Sequence, residues 1–399
     1  ARAITRRTRY AVQLDSTDLP VSPTYLAAVR AIPGVTVLNV SKWLNAISIQ
    51  TTSSAALASI QALPYVQQVA GLAARPSPLQ PVRPDKFSNQ LIVSPITSTP
   101  SSEKITGDFY NYGTNAGLEM KLHRAEFLHN IGLRGSGMQV AVLDGGFFNY
   151  NTLPAFDSVN RKGQILSTWD FVTGNATVSD DHPHGMQCLS TIAANIPGQF
   201  VGKAPQAFFH LFRTEDVNSE YPIEEFNWVC GAERADTEGA DLISSSLGYY
   251  DFDNPVFNYT YAQMDGKTTL AVKGADLAAK KGLLVFNSAG NEGAASWRYI
   301  ITPADGDSVV AVGAVNAAGA VAGFSSYGPS SDGRIKPELA SVGWQAVVQS
   351  TSGTIGVANG TSFSCPNLAG LATCLWQGFP EFNNIKIVDA LKRSANRYT

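Results

Sequence analysis

Late in the chain, Asn359-Gly360-Thr361-Ser362-Phe363-Ser364-Cys365-Pro366 puts a serine just ahead of the apolar run Leu368-Ala369-Gly370-Leu371-Ala372-Thr373-Cys374-Leu375-Trp376. A glycine before the hydroxyl pair permits a tight turn. Pro366 suits the first turn of a helix, where a missing N–H costs little. Ser362 is therefore expected near a helix N-terminus, whose unpaired N–H groups and dipole favour a nearby negative charge. A nucleophilic serine with a developing oxyanion would use that environment. A serine that merely caps a buried helix would look the same from this octet alone.

Two further stretches supply an acid and a base. Met138-Gln139-Val140-Ala141-Val142-Leu143-Asp144-Gly145-Gly146 is an apolar run that ends in an acid and two glycines. A buried parallel strand looks like this when it stops at the carboxyl edge of an open sheet; a turn-forming Asp is the plainer reading. In Asp181-His182-Pro183-His184-Gly185-Met186-Gln187-Cys188-Leu189, a His-Gly pair opens an apolar helix. Alone, that histidine would pass for a capping or surface residue. The three stretches together give the order Asp144, His184, Ser362, one of the chain orders in which acid, base and nucleophile of a catalytic triad occur.

With these residues in view, the sequence resembles the subtilisin-like serine proteases, the subtilase family. The resemblance rests on Val142-Leu143-Asp144-Gly145-Gly146, His184-Gly185, and Gly360-Thr361-Ser362 with Pro366. It rests also on Gly239-Ala240-Asp241-Leu242-Ile243-Ser244-Ser245-Ser246-Leu247-Gly248 and Ser288-Ala289-Gly290-Asn291-Glu292-Gly293, with a weaker match at Phe324-Ser325-Ser326-Tyr327-Gly328-Pro329. It runs from about Tyr110 to the C-terminus. The resemblance implies an α/β, parallel-sheet catalytic domain and a serine endopeptidase acting on protein or peptide substrates. Ser362 would attack a peptide carbonyl, His184 would move its proton, and Asp144 would hold the imidazole's tautomer. Asn291 matches the oxyanion-hole side chain, with the Ser362 backbone N–H as second donor. Substrate would lie extended along strand edges. Ser246, Leu247 and Gly248 would supply one edge, and Ala289 and Gly290 would line the pocket for the residue before the scissile bond. Thr302-Pro303 matches a cis-proline position close to that pocket. The following Gly185 favours His184 over His182 as the base. His123, His129 and His210 carry no partner signal and read as structural. Met186-Gln187-Cys188 and Phe363-Ser364-Cys365 depart from the commonest family pattern without removing a catalytic group.

The remainder of the chain must position these groups. At 399 residues, two domains are expected. Hydrophobic residues are 44% and charged residues 15%, which supports a large core and argues against disorder. A net charge of −3 gives no reason to expect a nucleic-acid partner. No run of about 18 apolar residues predicts a membrane span. The resemblance implies a secreted or periplasmic protein whose signal segment is removed or left out, since Ala1-Arg2-Ala3-Ile4-Thr5-Arg6-Arg7 has no apolar core. The final Ala395-Asn396-Arg397-Tyr398-Thr399 comes sooner than a domain of this family usually closes.

Within residues 1–72, Tyr10–Leu14, Val35–Val40, Ala46–Gln50 and Val66–Val69 read as strands, and Ser22–Val29 and Ser54–Ile60 as helices. The order β-α-β-β-α-β is the ferredoxin-like arrangement. Ahead of a subtilase-like domain, this small α+β unit resembles the family's inhibitory prodomain. Residues 73–108 are rich in Pro, Ser and Thr and read as a linker, where a prodomain would be severed. Residues 109–399 alternate strands (140–143, 207–212, 241–245, 283–287, 309–312) with helices (after His184, 223–237, 270–281, after Ser362), the pattern of a parallel α/β sheet.

Four cysteines, Cys188, Cys230, Cys365 and Cys374, have no metal-ligand spacing. Cys230 and Cys374 read as buried thiols, while the helices after His184 and Ser362 should meet and leave a Cys188–Cys365 disulfide open. No metal site is assigned and no cofactor is certain. The resemblance raises calcium, but the loop 195–201 lacks carboxylates. Glu215, Asp216, Glu220, Glu224 and Glu225 cluster before and at the start of a helix. They read either as a solvated loop favoured by the helix dipole or as a negative rim that attracts Lys or Arg of a substrate. Two other function classes compete: a non-catalytic binding protein on the same fold, and an α/β-hydrolase esterase. The second requires Gly-x-Ser-x-Gly and the order Ser, acid, His, neither of which occurs here.

Overall fold

The structure, a computed structural model, describes residues 1–73, 85–91, 93–96 and 107–396; most of the linker expected over 73–108 and the last three residues lie outside them. Seven parallel strands form the central sheet. Their order across it is Leu339–Val342, Val309–Val315, Leu284–Ser288, Leu242–Ser245, Gln139–Asp144, Phe208–Arg213 and Ile165–Asp170. The inner strands are buried along nearly their whole length because both faces are covered. Val140 and Val142 point to one layer, with Met186, Leu189, Leu368 and Ala372 of the helices His184–Ala193 and Thr361–Gly378. Ala141 and Leu143 point to the other, with Trp228, Val229, Ala275 and Ala278 of the helices Pro222–Glu238 and Leu270–Lys280. Alternation along a pleated strand produces this division.

The sequence reading found the five inner strands but not the two outer ones, Ile165–Asp170 and Leu339–Val342, which are partly exposed and lack a continuous apolar run. The short helices Thr114–Leu122 and Ala125–Asn130 and the closing helix Asn384–Ser394 were also not expected.

In the N-terminal unit, the hairpin Thr36–Ser41 and Ala46–Gln50 and the helices Pro23–Arg30 and Ser54–Gln61 form as expected. The outer strands do not. Tyr10–Leu14 follows a helix, Arg2–Arg9, and Val66–Val69 enters no ladder. The reason is tertiary. Arg6 donates to the Ala240 carbonyl and pairs with Asp236, while Arg7 reaches the other oxygen of Asp236 at 2.6 Å. Guanidinium groups at the C-terminal end of the helix Pro222–Glu238 also meet its negative dipole end. The hairpin packs on the same helix. Trp43 is buried there, and Glu233 accepts the backbone N–H groups of Lys42 and Trp43 at 3.0 and 3.1 Å and the Ser41 hydroxyl.

Candidate active site

Asp144 ends the strand Gln139–Asp144, whose neighbours lead to opposite edges of the sheet. Strand order reverses there, and the crevice at such a point is where open α/β sheets bind ligands. His184 starts the helix His184–Ala193 beside it. A Cβ on Gly185 would lie 2.5 Å from the Gly146 carbonyl oxygen and 2.7 Å from Asp144 Cβ. Glycine therefore lets the helix begin close enough for His184 Nδ1 to lie 2.7 Å from Asp144 Oδ1. Both side chains are wholly buried, so the carboxylate directs the Nδ1 proton with little competition from water.

Ser362 is the second residue of the helix Thr361–Gly378. That helix starts earlier than expected, so Pro366 lies inside it rather than in its first turn. Proline cannot donate to the carbonyl four residues back. The freed Ser362 carbonyl instead accepts from Ser246 Oγ at 2.7 Å and Cys188 Sγ at 3.2 Å. The break in the helix ladder thus ties the serine turn to the residue after the strand Leu242–Ser245 and to the middle of the helix His184–Ala193. Ser362 Oγ donates to the Ser246 carbonyl at 3.4 Å and not to His184.

Asn291 Oδ1 accepts from the Thr361 N–H at 2.8 Å and the Thr361 hydroxyl at 3.0 Å. Two donors on its carbonyl end orient the amide and leave its NH2 end for the cleft. A cavity of about 200 Å³ is lined by Ser246, Leu247, Gly248, Gly290, Asn291 and Ser362. Ala289 is buried and is not part of that wall. Thr302-Pro303 is cis.

Sequence reasoning missed what fills this cleft. Phe87 lies over the His184 ring, with centroids 4.0 Å apart and planes at 17°. Gln90 Oε1 lies 3.3 Å from His184 Nε2, and a Cβ on Gly360 would meet that oxygen at 2.5 Å. Ser94 and Pro95 add a short antiparallel strand to Ile355–Ala358. Upstream, the Leu72 carbonyl accepts from Ile223 N–H at 3.0 Å. The available signal was Phe87 and the run Gln90-Leu91-Ile92-Val93, which interrupt the Pro/Ser/Thr character of the linker.

His182 pairs with Asp85 at 2.8 Å, and burial lowers its pKa. Burial likewise lowers His123 to about 3 and His129 to about 4, beside Ser341 and the Lys203 carbonyl respectively. His210 contacts Ser167 and Glu238. All four cysteines are free and buried, so Cys188 and Cys365 form no disulfide. The loop 195–201 closes as the ladder Asn195↔Val201 and Ile196↔Phe200; it holds no carboxylate and does not fit a calcium ion. The acidic cluster is not a solvated loop: Glu215, Glu220, Glu224 and Glu225 are buried.

The sequence pattern of the subtilase family, Peptidase S8, matches residues 135–399. This chain belongs to the subtilase family. A Peptidase S8 propeptide domain of the Bacteroidota type matches residues 1–86, reaching into the segment that fills the cleft. Subtilisin of Bacillus pumilus and subtilisin Savinase of Lederbergia lenta are each 31% identical to this subtilase over 68% of its length and 88% of theirs. Subtilisin NAT of Bacillus subtilis subsp. natto is 31% identical, and the match spans 64% of its length. Among solved structures, MycP1 from Mycobacterium smegmatis superimposes with a TM-score of 0.55 at 20% identity, over 79% of this chain and 87% of that one, a likeness of fold. The family is one of serine endopeptidases. Among the described residues, no helix is long and apolar enough to cross a membrane.

Proposed function

We propose that this subtilase is the secreted zymogen of a serine endopeptidase. Residues 1–72 serve as inhibitory prodomain, 73–108 as linker and 109–399 as catalytic domain. Ser362 Oγ adds to the scissile carbonyl as His184 Nε2 takes its proton. The tetrahedral intermediate expels the amine, which leaves with that proton, and water then hydrolyses the acyl-enzyme by the same route. Asp144 holds the Nδ1–H tautomer and stabilises the imidazolium. The Asn291 NH2 and the Ser362 N–H receive the oxyanion. The observation that carries this reading is the 2.7 Å contact of His184 Nδ1 with Asp144 Oδ1, wholly buried beside the cavity that Ser362 and Asn291 line.

In the conformation described, Ser362 Oγ faces the Ser246 carbonyl and His184 Nε2 faces Gln90. This is a resting arrangement, in which departure of the linker segment frees His184 Nε2 to meet Ser362. Fluorophosphonate labelling tests the reading. After removal of the N-terminal segment, Ser362 should be the modified residue; absence of labelling would favour a non-catalytic binding protein on this fold.

A further inference from the structure

Two glycines line the cavity beside Ser362, and one side chain stands against both. A Cβ on Gly248 would lie 2.5 Å from Ile301 Cγ1, and a Cβ on Gly290 would lie 3.1 Å from the same carbon. Ile301 lines the cavity together with Ser246, Leu247, Asn291 and Ser362, and is only 8% exposed. Glycine lets the backbone come close to whatever lies against it. Here the space that the two glycines open is taken by Ile301.

The segment that carries Ile301 is tied to both walls. The Ile301 N–H donates to the Ala289 carbonyl at 3.3 Å, and the Tyr249 N–H donates to the Thr302 carbonyl at 2.9 Å. These bonds hold it to the residue before Gly290 and to the residue after Gly248. A β-branched side chain is also restricted at χ1, so Ile301 has few ways to turn aside. Tyr250 and Glu292 line the same cavity and are joined, the tyrosine hydroxyl donating to Glu292 Oε2 at 3.0 Å. The Tyr250 ring stacks on Trp297, with centroids 4.6 Å apart.

In the proposed mechanism the scissile carbonyl points at the Asn291 amide and the Ser362 N–H. The residue that owns this carbonyl has its Cα one bond away, so its side chain enters the cavity between Gly248 and Gly290. A methyl or hydroxymethyl group stops short of Ile301. A leucine, phenylalanine or lysine side chain runs into it, and overpacking against a fixed neighbour is unfavourable.

We propose that Ile301 limits the residue before the scissile bond to glycine, alanine or serine, so that this subtilase cleaves after small side chains. The proposal rests on the endopeptidase reading and adds its substrate class.

The experiment uses the full chain carrying Phe87→Ala and Gln90→Ala, which uncovers the reacting groups. Hexapeptides differ only at the residue before the cleaved bond, which is Ala, Ser, Leu, Phe or Lys. Rates are taken per Ser362 that a fluorophosphonate can label. kcat/KM should be at least about tenfold higher for Ala and Ser than for Leu, Phe and Lys, the discrimination that a misfit of one or two methylenes supports. Ile301→Ala in the same chain should raise cleavage after Leu and Phe at least about tenfold and change cleavage after Ala less than about threefold. Equal or faster cleavage after Leu, Phe or Lys without that substitution overturns the proposal. So does a preference that Ile301→Ala leaves unchanged. Ile301→Val removes only Cδ1, guards against misfolding of the alanine variant, and should shift the preference in the same direction. Binding separates this proposal from the reading beneath it. With Ser362→Ala added, calorimetry should show the Ala peptide binding at least about tenfold tighter than the Phe peptide. Equal, reversed or absent binding sinks the pocket proposal, whereas a Ser362 that neither cleaves nor becomes labelled sinks the endopeptidase reading.

Discussion

The side-chain oxygen of Gln90 lies 3.3 Å from His184 Nε2, the nitrogen that the proposed mechanism brings to Ser362 for proton transfer. With Nδ1–H given to Asp144, a neutral imidazole presents Nε2 as an acceptor. The Gln90 amide then turns its NH2 end to the ring, and a linker side chain lies against the nitrogen that the proposed mechanism uses. Replacing it should unmask the serine: Gln90→Ala combined with Phe87→Ala in the full chain is expected to raise the rate of fluorophosphonate labelling at Ser362 by about tenfold or more, read by mass spectrometry. An unchanged rate would mean that the segment does not restrain the site.

Ser362→Ala should abolish peptidase activity and leave the fold intact. The residue lies in a helix held by the Ser246 and Cys188 contacts to its carbonyl, which the substitution keeps. Loss of more than about 10³-fold in kcat with an unchanged unfolding midpoint is the expected result; activity within about tenfold of the parent is incompatible with a nucleophile there.

Asn291→Leu removes the amide donor and the acceptor for Thr361. The expected loss is about 10²–10³ in kcat, roughly 2.7–4 kcal/mol of barrier, a range measured in subtilisin itself. KM should change little, because the donor serves the oxyanion rather than the ground state. A loss confined to KM would assign Asn291 to substrate binding.

Glu233 is the docking point of the prodomain hairpin, where one carboxylate receives Ser41, Lys42 and Trp43. Charge-assisted hydrogen bonds contribute roughly 1.5–3 kcal/mol each. Glu233→Ala should therefore weaken inhibition by residues 1–72 at least about tenfold, measured as the concentration of that segment needed to halve peptide cleavage by the separated catalytic domain. Equal inhibition of parent and variant would place the recognition elsewhere.

Burial raises the Glu225 carboxyl to about 7, although the Tyr259 hydroxyl and the Ala271 N–H donate to it. A folded-state pKa above the unfolded value means that the native state holds this proton longer. The stability it contributes is complete below about 4.5 and is lost as pH rises through about 7. The loss is on the order of 3 kcal/mol by linkage. Urea unfolding of the Ser362→Ala chain at pH 5 and pH 8 should show that fall relative to a Glu225→Gln partner, which lacks the titration. A constant difference between the two proteins at both pH values would exclude it.

The order Asp144, His184, Ser362 and the inner strands were legible because each lies in a short run whose pattern states its own surroundings. An apolar run ending in Asp-Gly-Gly is a buried strand with a polar tip, wherever its partners lie. Chain order and local pattern therefore placed the candidate triad and the α/β class. They placed Pro366 wrongly, in the first turn, since the compensating bonds to the Ser362 carbonyl come from Ser246 and Cys188, 116 and 174 residues away.

The N-terminal strand at Tyr10–Leu14 failed for a similar reason. Its helix is held by Asp236, about 230 residues on, and local propensity carries no trace of that ion pair. The acidic cluster was visible as composition, but its burial was not. Sequence alone determined which residues could act as acid, base, nucleophile and oxyanion donor. Only the tertiary structure decided that Lys86 sits among three glutamates, the nearest 129 positions away, and that Gln90 stands at His184. A linker without helical or alternating period has no local preference strong enough to write its path into the sequence. Its described residues are placed by contacts with groups far along the chain, among them Glu215, His184 and the strand Ile355–Ala358.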